Sequence, residues 1–155
     1  MTPNQMERNK HMQLGTTYIC VEDMEKSLAF YKALLQTDPV EQNGSRWATF
    51  ACGNCLSLYN KHFDEELIKT APASHFNQAY LDDFRSDTGP KQNNQVIFNF
   101  ETEDLAAEYD RLRALNIGEI SDLMYVNVHM PYWYFNITDP DGNLLEITGN
   151  YAPNP

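Results

Sequence analysis

Residues 15–35 read GTTYICVEDMEKSLAFYKALL, and residues 95–115 read QVIFNFETEDLAAEYDRLRAL. Each stretch begins with a run typical of a β-strand, reaches an aspartate, and continues with apolar residues at helical spacing. Asp23 and Asp104 lie 81 positions apart, and each is placed to accept hydrogen bonds from the first-turn amides of the helix that follows. The two stretches therefore predict one strand–helix unit that occurs twice in the chain.

Further strand-like runs follow each predicted helix. In the first half, WATFAC and CLSLYN flank a Gly-Asn turn at Gly53. In the second half, MYVNVHM is followed by YWYFNIT and LLEITGN, which flank the DPDGN turn of residues 139–143. The two Gly-Asn pairs at these turns lie 89 positions apart, so Ser57 corresponds to Glu146. This doubled order predicts an α+β fold of two βαβββ modules.

The repeat also predicts how the chain is divided. In chain order, the predicted parts are a flexible N-terminal arm at 1–13, a first module at 14–60, a linker with short helical turns at 61–93, a second module at 94–150 and a C-terminal tail at 151–155. Within the linker, Asp64 is expected to cap a short helix. Gly118 is expected to end the helix of the second module.

The composition limits the possible partners. Eleven basic residues against twenty-two acidic ones give a net charge of −11 at pH 7. This charge would repel a polyanion, so no nucleic-acid partner is expected. No apolar run is long enough to span a bilayer, and the polar N-terminus lacks the apolar stretch of a signal peptide. The sequence therefore predicts a cytoplasmic protein with no membrane partner.

The cysteines do not indicate redox or metal chemistry. Three cysteines argue against a disulfide framework. Cys52 and Cys55 form a lone CxxC at the predicted hairpin turn, whereas thioredoxin-type chemistry uses that motif at a helix N-terminus. Because no second CxxC exists to complete a zinc site, a redox or metal role for the pair is disfavoured.

Alternation along the strands separates two faces of each sheet. The face expected against the helices is apolar and consists of Ile19, Val21, Leu56, Leu58, Val96, Phe98, Phe100, Leu145 and Ile147. The opposite face is mixed and consists of Thr16, Tyr18, Cys20, Ser57, Tyr59, Ile97, Asn99, Glu101, Leu144, Glu146 and Thr148. A sheet face exposed to solvent usually carries more charged residues, so this mixed face is predicted to line a cavity.

Three stretches carry a resemblance to a known family. Residues 21–31 (VEDMEKSLAFY) and 100–105 (FETEDL) resemble the two strand-to-helix corners of the vicinal-oxygen-chelate superfamily of glyoxalases, extradiol dioxygenases and bleomycin-resistance proteins. Residues 139–147 (DPDGNLLEI) resemble its final hairpin. The resemblance implies an open, cleft-bearing eight-stranded sheet or barrel with the helices on its convex side. It also implies a homodimer and, in metal-dependent members, one divalent ion held in the cleft by His, Gln or Glu.

The resemblance assigns the metal-ligand positions of the family to four residues of this chain, Thr16, Ser57, Ile97 and Glu146. Only Glu146 is of a ligand type that the family uses, because Ile97 has no donor atom and hydroxyls are weak ligands for borderline metals. A catalytic metal usually has about three protein ligands. A divalent metal cofactor is therefore disfavoured, although an unusual set of Glu146, His129 and Glu101 stays open.

Glu146 and His129 are the candidate catalytic residues. The neighbours of Glu146 are needed on the helix side, so its carboxylate should point into the cleft, where it could act as a general base or bind a donor group. Alternatively, it is a glutamate retained from a metal-binding ancestor and satisfied by nearby hydroxyls. His129 lies in a predicted strand and could act as an acid, a base or a donor, although a structural role is the alternative.

Aromatic and small polar side chains form the predicted ligand-binding set. The aromatic candidates for a pocket are Tyr18, Trp47, Tyr59, Trp133 and Tyr134, each of which could instead belong to the core. The other candidates on the mixed face are Thr16, Ser57, Ile97 and Asn99. A pocket of Tyr and Trp would favour a flat aromatic or amphipathic ligand held by stacking.

Three functions are compatible with these residues. The first is a metal-free, homodimeric protein of the bleomycin-resistance kind that binds a small organic molecule in the cleft. The second is a glyoxalase-, lyase- or dioxygenase-type enzyme that uses Glu146 as its base or as its sole family-like metal ligand, with His129 as a possible partner. The third is a dimeric interaction or regulatory module without a small ligand.

Overall fold

The computed structural model describes residues 15–86, 97–127 and 131–152. The elements of the first half are β1 (Thr17–Val21), α1 (Met24–Leu35), β2 (Glu41–Asn43), β3 (Trp47–Cys52) and β4 (Asn54–Asn60). Three helices follow, namely α2 (Lys61–Thr70), α3 (Pro72–His75) and α4 (Gln78–Ser86). The elements of the second half are β5 (Phe98–Thr102), α5 (Leu105–Leu115), β6 (Met124–Asn127), β7 (Pro131–Thr138) and β8 (Leu144–Gly149).

The two halves form separate four-stranded sheets of identical topology. The strand order is β1-β4-β3-β2 in the first sheet and β5-β8-β7-β6 in the second. β1 runs parallel to β4, and β5 runs parallel to β8, while the other neighbours are antiparallel. Tyr18 lies opposite Ser57, and Asn99 lies opposite Glu146, as the offsets of 81 and 89 require. The prediction of an α+β fold with two βαβββ modules is confirmed.

The two long helices begin where the aspartates predict. The carboxylate of Asp23 accepts a hydrogen bond of 3.1 Å from the amide of Lys26. The carboxylate of Asp104 accepts one of 3.0 Å from the amide of Ala107. Each cap satisfies an amide that has no partner within its helix, which explains why both strand-to-helix corners have the same form.

The same helices end at residues that the sequence analysis did not identify. Gln36 and Asn116 adopt left-handed backbone conformations, with φ of +53° and +50°, directly after α1 and α5. The expectation that Gly118 ends the second helix was therefore wrong. A Cβ on Gly118 would lie 2.3 Å from the carbonyl oxygen of Thr138, so glycine is required there because the chain packs closely against β7.

The helix side of each sheet is apolar and buried, as the alternation predicts. The predicted strand residues that are buried on this side are Ile19, Val21, Leu56, Leu58, Leu145 and Ile147, and Phe98 and Phe100 are partly buried. Val96 lies outside the described residues. α1 contributes Phe30 and Tyr31 to the same core, and α5 contributes Leu105 and Leu112. The opposite face of each sheet is called the open face below.

The two modules meet at α1, α5 and the turn between β7 and β8. The buried hydroxyl of Tyr31 donates a hydrogen bond of 2.7 Å to Asp139, and the hydroxyl of Ser27 donates one of 3.3 Å to Asp141. On α5, the guanidinium of Arg111 donates to two carbonyl oxygens in the last turn of α1, at 2.7 and 2.6 Å. These contacts join the modules on the helix side and leave the open faces out of the junction.

Residues 61–86 contain more helix than the short turns expected of the linker. α2 is capped by Asn60, whose side chain accepts a hydrogen bond of 3.2 Å from the amide of His62. Asp64 lies inside α2 and is fully buried, so the expectation that it caps a helix was wrong. Within the described ranges, no helix is both long enough and apolar enough to cross a membrane.

Candidate functional site

Three aromatic rings lie together on the open face of the first sheet. The ring centroid of Tyr18 on β1 lies 5.4 Å from that of Trp47 on β3 and 6.2 Å from that of Tyr59 on β4. Trp47 and Tyr59 are also 6.2 Å apart. Tyr18 is 55% exposed, whereas the other two are partly buried. The structure thus brings three of the predicted ligand-binding residues into one cluster, in which Tyr18 offers the largest free surface.

Tyr80 and Phe84 of helix α4, together with Phe76 just before it, form a second aromatic group that faces this cluster. The ring of Tyr80 stacks on that of Phe76 at 4.5 Å and lies 5.9 Å from that of Phe84. The hydroxyls of Tyr59 and Tyr80 are 3.3 Å apart. A cavity of about 340 Å³ is lined by residues from both groups, namely Tyr18, Cys20, Arg46, Trp47, Tyr59, Lys61, Tyr80 and Phe84. This cavity is called the aromatic pocket below.

A buried carboxylate joins the sheet to the helical segment beside this pocket. Asp64 accepts hydrogen bonds from Nε and Nη2 of Arg46, at 2.6 and 2.9 Å, and from the hydroxyls of Tyr59 and Tyr80, both at 2.7 Å. Burying a charge is costly unless it is paired and hydrogen-bonded, and four donors meet that need here. The network therefore fixes Arg46 and the two tyrosines in place.

The same contacts set the protonation states. Burial alone would raise the pKa of Asp64, but the hydrogen bonds from Arg46, Tyr59 and Tyr80 outweigh it and leave that pKa below its ordinary value of 3.8. The hydrogen bond to Asp64 raises the pKa of Arg46. Burial, and then the hydrogen bonds with Tyr80 and Asp64, raises the pKa of Tyr59. At neutral pH this side of the pocket therefore offers a fixed guanidinium and neutral hydroxyls.

A chain of hydroxyls lies next to the aromatic rings. The Oγ of buried Ser57 lies 2.9 Å from Oγ1 of Thr16 and 2.9 Å from Oγ1 of Thr49. Nε1 of Trp47 donates a hydrogen bond of 2.8 Å to Thr49. Thr16 and Ser57, both predicted to bind a ligand, thus satisfy each other, and Thr49 orients the indole of Trp47.

Glu146 lies on the open face of the second sheet, between Asn99 on β5 and Asn136 on β7. Nδ2 of Asn99 donates a hydrogen bond of 2.9 Å to Oε1 of Glu146. Tyr134 lies on the same face, opposite Thr148. Asn99, Glu146 and Tyr134 therefore share one sheet, and the aromatic pocket belongs to the other.

A second cavity lies in the second module. It encloses about 560 Å³ and is lined by Glu101, Thr102, Tyr125, Pro131, Tyr132, Trp133, Thr148, Gly149, Asn150 and Tyr151. Of the predicted site residues, Glu101 and Trp133 are part of this lining, whereas Ile97 is exposed on the open face and lines neither cavity. His129 lies outside the described residues, so its predicted role stays a prediction.

The sequence of the whole chain was compared with known families. A profile described as the Glyoxalase/Bleomycin resistance protein/Dioxygenase superfamily matches residues 11–147. The chain belongs to this superfamily. The resemblance inferred from the two strand-to-helix corners and the final hairpin is thereby confirmed. Among curated proteins, the comparison gave no match.

Solved structures of the glyoxalase superfamily share the fold. A lactoylglutathione lyase from Agrobacterium tumefaciens is 19% identical, with 91% of this chain and 96% of that one covered and a TM-score of 0.59. A glyoxalase/bleomycin resistance protein/dioxygenase family enzyme from Burkholderia phytofirmans PsJN is 18% identical, with 87% and 96% covered and a TM-score of 0.58. At such identities the likeness concerns the fold alone.

The four positions to which the resemblance to the glyoxalase superfamily assigns metal ligands do not fit a divalent ion. The hydroxyls of Thr16 and Ser57 are hydrogen-bonded to each other, Ile97 has no donor atom, and Glu146 is bound by Asn99. Such a donor set lacks the three nitrogen, sulfur or carboxylate ligands that a catalytic metal usually has. In the part of the chain that the structure describes, no three His, Cys, Asp or Glu side chains are grouped to hold a metal.

The two cysteines of the CxxC lie on different faces of the first sheet. Cys52 packs against the core, where burial raises the pKa of its thiol. Cys55 lies opposite Ala51 in the β3–β4 pair and shares the face of Ser57. Formation of a disulfide within this hairpin would therefore require the backbone to move.

The roles of several residues in and beside the pocket were missed by the sequence analysis. Phe76, Tyr80 and Phe84 recur every fourth residue, which is a helical signal for one aromatic stripe. That spacing could have identified the helical wall of the pocket. Arg46 and Asp64 carry no comparable local signal, because their pairing depends on how α2 folds back onto β3.

Proposed function

We propose that this protein binds a small organic molecule with a flat ring in the aromatic pocket, without a catalytic metal. The observation that carries this proposal is the group of Tyr18, Trp47 and Tyr59, which faces the rings of α4 across a cavity of about 340 Å³. Ligand pockets of about 300–1,000 Å³ lined by aromatic residues with a few polar groups are typical of small-molecule sites. Because Asp64 already holds the polar groups in place, binding requires little further ordering.

The proposal is tested by a thermal-shift screen of small aromatic compounds, followed by calorimetric measurement of Kd. We expect Tyr18→Ala to weaken binding about 5- to 10-fold, since one aromatic contact is worth roughly 1 kcal/mol beyond its buried area. The matched control is Tyr125→Ala, because Tyr125 is 51% exposed against 55% for Tyr18 but belongs to the second sheet. Equal affinities of the wild type and Tyr18→Ala for the ligand would place the ligand elsewhere. One tightly bound divalent ion per purified chain would contradict the proposal that the protein has no catalytic metal.

We also propose that two copies of the chain pair through their open faces. The contacts between modules within one chain lie on the helix side, so the open faces are available to a second copy. Two large apolar residues, Ile97 and Leu144, are 47% and 44% exposed there, although apolar side chains of this size are usually buried. The family resemblance also implies a homodimer.

The mass in solution, measured by light scattering, tests this pairing. The wild type is expected at twice the 17.9 kDa of the single chain. The double variant Ile97→Asp/Leu144→Asp is expected to be monomeric, since it would bury two carboxylates in an apolar contact. Leu115→Asp is the control, because Leu115 is 45% exposed at the end of α5, away from the open faces. A monomeric wild type would contradict the pairing.

One observation favours a second candidate function, an enzyme of the glyoxalase or lyase type. Asn99 binds Oε1 of Glu146 and thereby orients the carboxylate on the open face, as a general base requires. If a substrate is found, Glu146→Gln is expected to lower kcat by about 100-fold or more while folding is retained, because general-base catalysis contributes roughly 10²–10⁴-fold. Unchanged turnover in that variant would contradict a role of Glu146 as general base, and only the binding function would remain.

A further inference from the structure

We infer that the aromatic pocket selects a flat aromatic ring that carries an acidic group, such as an arene carboxylate, over neutral and cationic analogues of the same shape. This inference rests on the proposed function and specifies the class of ligand for the same pocket. It is carried by the cations in the pocket lining and by the position of Arg46.

Two aromatic faces of the pocket are already occupied by cations of the chain. The guanidinium of Arg46 lies 5.4 Å from the ring centroid of Tyr59, and the ammonium of Lys61 lies 4.8 Å from that of Phe84. Aromatic rings attract cations through their negative faces, and here the chain supplies those cations itself. A cationic ligand would have to share these rings with like charges, which is unfavourable.

The guanidinium of Arg46 is held in a fixed position at the pocket. Its bidentate contact with Asp64 uses Nε and Nη2, and its side chain remains 34% exposed while that of Asp64 is fully buried. Asp64 does not line the cavity, so the pocket meets the guanidinium and not its counter-ion. Arginine recognises carboxylates through planar, charge-assisted hydrogen bonds, and the contact with Asp64 holds the guanidinium rigid for that purpose.

The charge of the pocket lining differs from the charge of the chain as a whole. The protein has a net charge of −11, with acidic residues twice as numerous as basic ones. Among the residues that the structure describes, the lining of the aromatic pocket nevertheless includes two basic side chains and no acidic one. The described part of the lining is therefore basic in a chain that is acidic as a whole. Such a local reversal favours an anionic group at short range.

Three probes of one shape test the inference by isothermal titration calorimetry at pH 7. They are 1-naphthoate, which is anionic, 1-naphthylmethylamine, which is cationic, and 1-naphthalenemethanol, which is neutral. We expect 1-naphthoate to bind at least about tenfold more tightly than the amine, with the alcohol between them, as one charge-assisted hydrogen bond would give. This comparison uses the unmodified protein, so it does not depend on the folding of a variant.

The double variant Arg46→Gln/Asp64→Asn then assigns the preference to its source. It removes both charges of the pair together and leaves polar groups of similar size, so no buried carboxylate is left alone. We expect the preference for 1-naphthoate over the amine to fall at least about threefold in this variant, while Lys61 keeps part of it. Arg113→Gln is the matched control, because Arg113 also lies over a tyrosine ring, that of Tyr109 at 5.3 Å, but far along the chain in α5. It should keep the wild-type preference.

The outcomes separate the inference from the function on which it rests. Tighter binding of the amine, equal binding of all three probes to the wild type, or a carboxylate preference that is undiminished in a folded double variant would overturn the inference and leave the binding function in place. Failure of all three probes to bind the wild type would count against the proposed function itself.

Discussion

The two modules share one backbone plan but carry different chemistry at equivalent positions. Tyr18 and Asn99 occupy the same place in the repeat, as do Ser57 and Glu146. The first open face is aromatic and is partly walled by α4, whereas the second presents an amide and a carboxylate. The helix sides are apolar in both modules. The buried face therefore maintains the fold in each copy, whereas the residues of the open face are free to differ between the copies.

The buried Asp64 network has no counterpart in the second module among the described contacts, and breaking it gives the largest expected effect. Asp64→Ala would leave Arg46 without its counter-ion and two tyrosine hydroxyls without their acceptor. We expect the free energy of unfolding to fall by about 3–5 kcal/mol, as for other buried ion pairs that lose one partner. Urea unfolding monitored by circular dichroism measures this change.

The matched variant in the second module is Asn99→Ala, which removes the hydrogen bond to Glu146 on an exposed face. Its expected cost is below about 1 kcal/mol, because water replaces the lost partner. Similar losses of stability for Asp64→Ala and Asn99→Ala would contradict the proposed difference between the modules.

The pH dependence of stability gives a further check on the Asp64 network. Since the pKa of Asp64 is lowered on folding, its stabilisation is present above the ordinary value and is lost as the pH falls through the lower folded value.

The smallest expected effect concerns His62, which ties α2 to the end of β1 in the first module. Its Nε2 lies 2.6 Å from Glu22 and its Nδ1 lies 2.8 Å from Glu65, and these hydrogen bonds raise the pKa of His62. A raised pKa gives stability that is complete below the ordinary value of 6.5 and is lost as the pH rises through the higher folded value. We expect only a few tenths of a kcal/mol, because the pair is exposed.

Unfolding free energies of the wild type and His62→Gln, measured from pH 5 to about 9, test this contribution. The wild type should lose its small advantage over the variant as the pH rises. His75→Gln is the control and should follow the wild type at every pH. An advantage that grows with pH would show that the charged imidazole does not hold α2 in place.

The sequence predicted the fold well because repeat offsets and strand alternation are local properties. Asp23 and Asp104 marked both corners, and the apolar series identified the buried faces. The grouping of Tyr18 and Tyr59 also followed from alternation. Asp64 was misread as a cap because its partner Arg46 lies 18 residues away, and no periodic pattern reports a contact made when a helix folds back on a strand. Gly118 was misread because its close neighbour is on another element.

The DPDGN turn has a consequence beyond closing a hairpin. Its two aspartates accept hydrogen bonds from Tyr31 and Ser27 on α1 of the first module. Arg111 on α5 donates hydrogen bonds to the end of the same helix. Neither half can keep these groups satisfied by itself. The chain is therefore a natural candidate for fragment complementation, in which two halves cut within residues 87–96 are each incomplete and regain structure only when they are mixed.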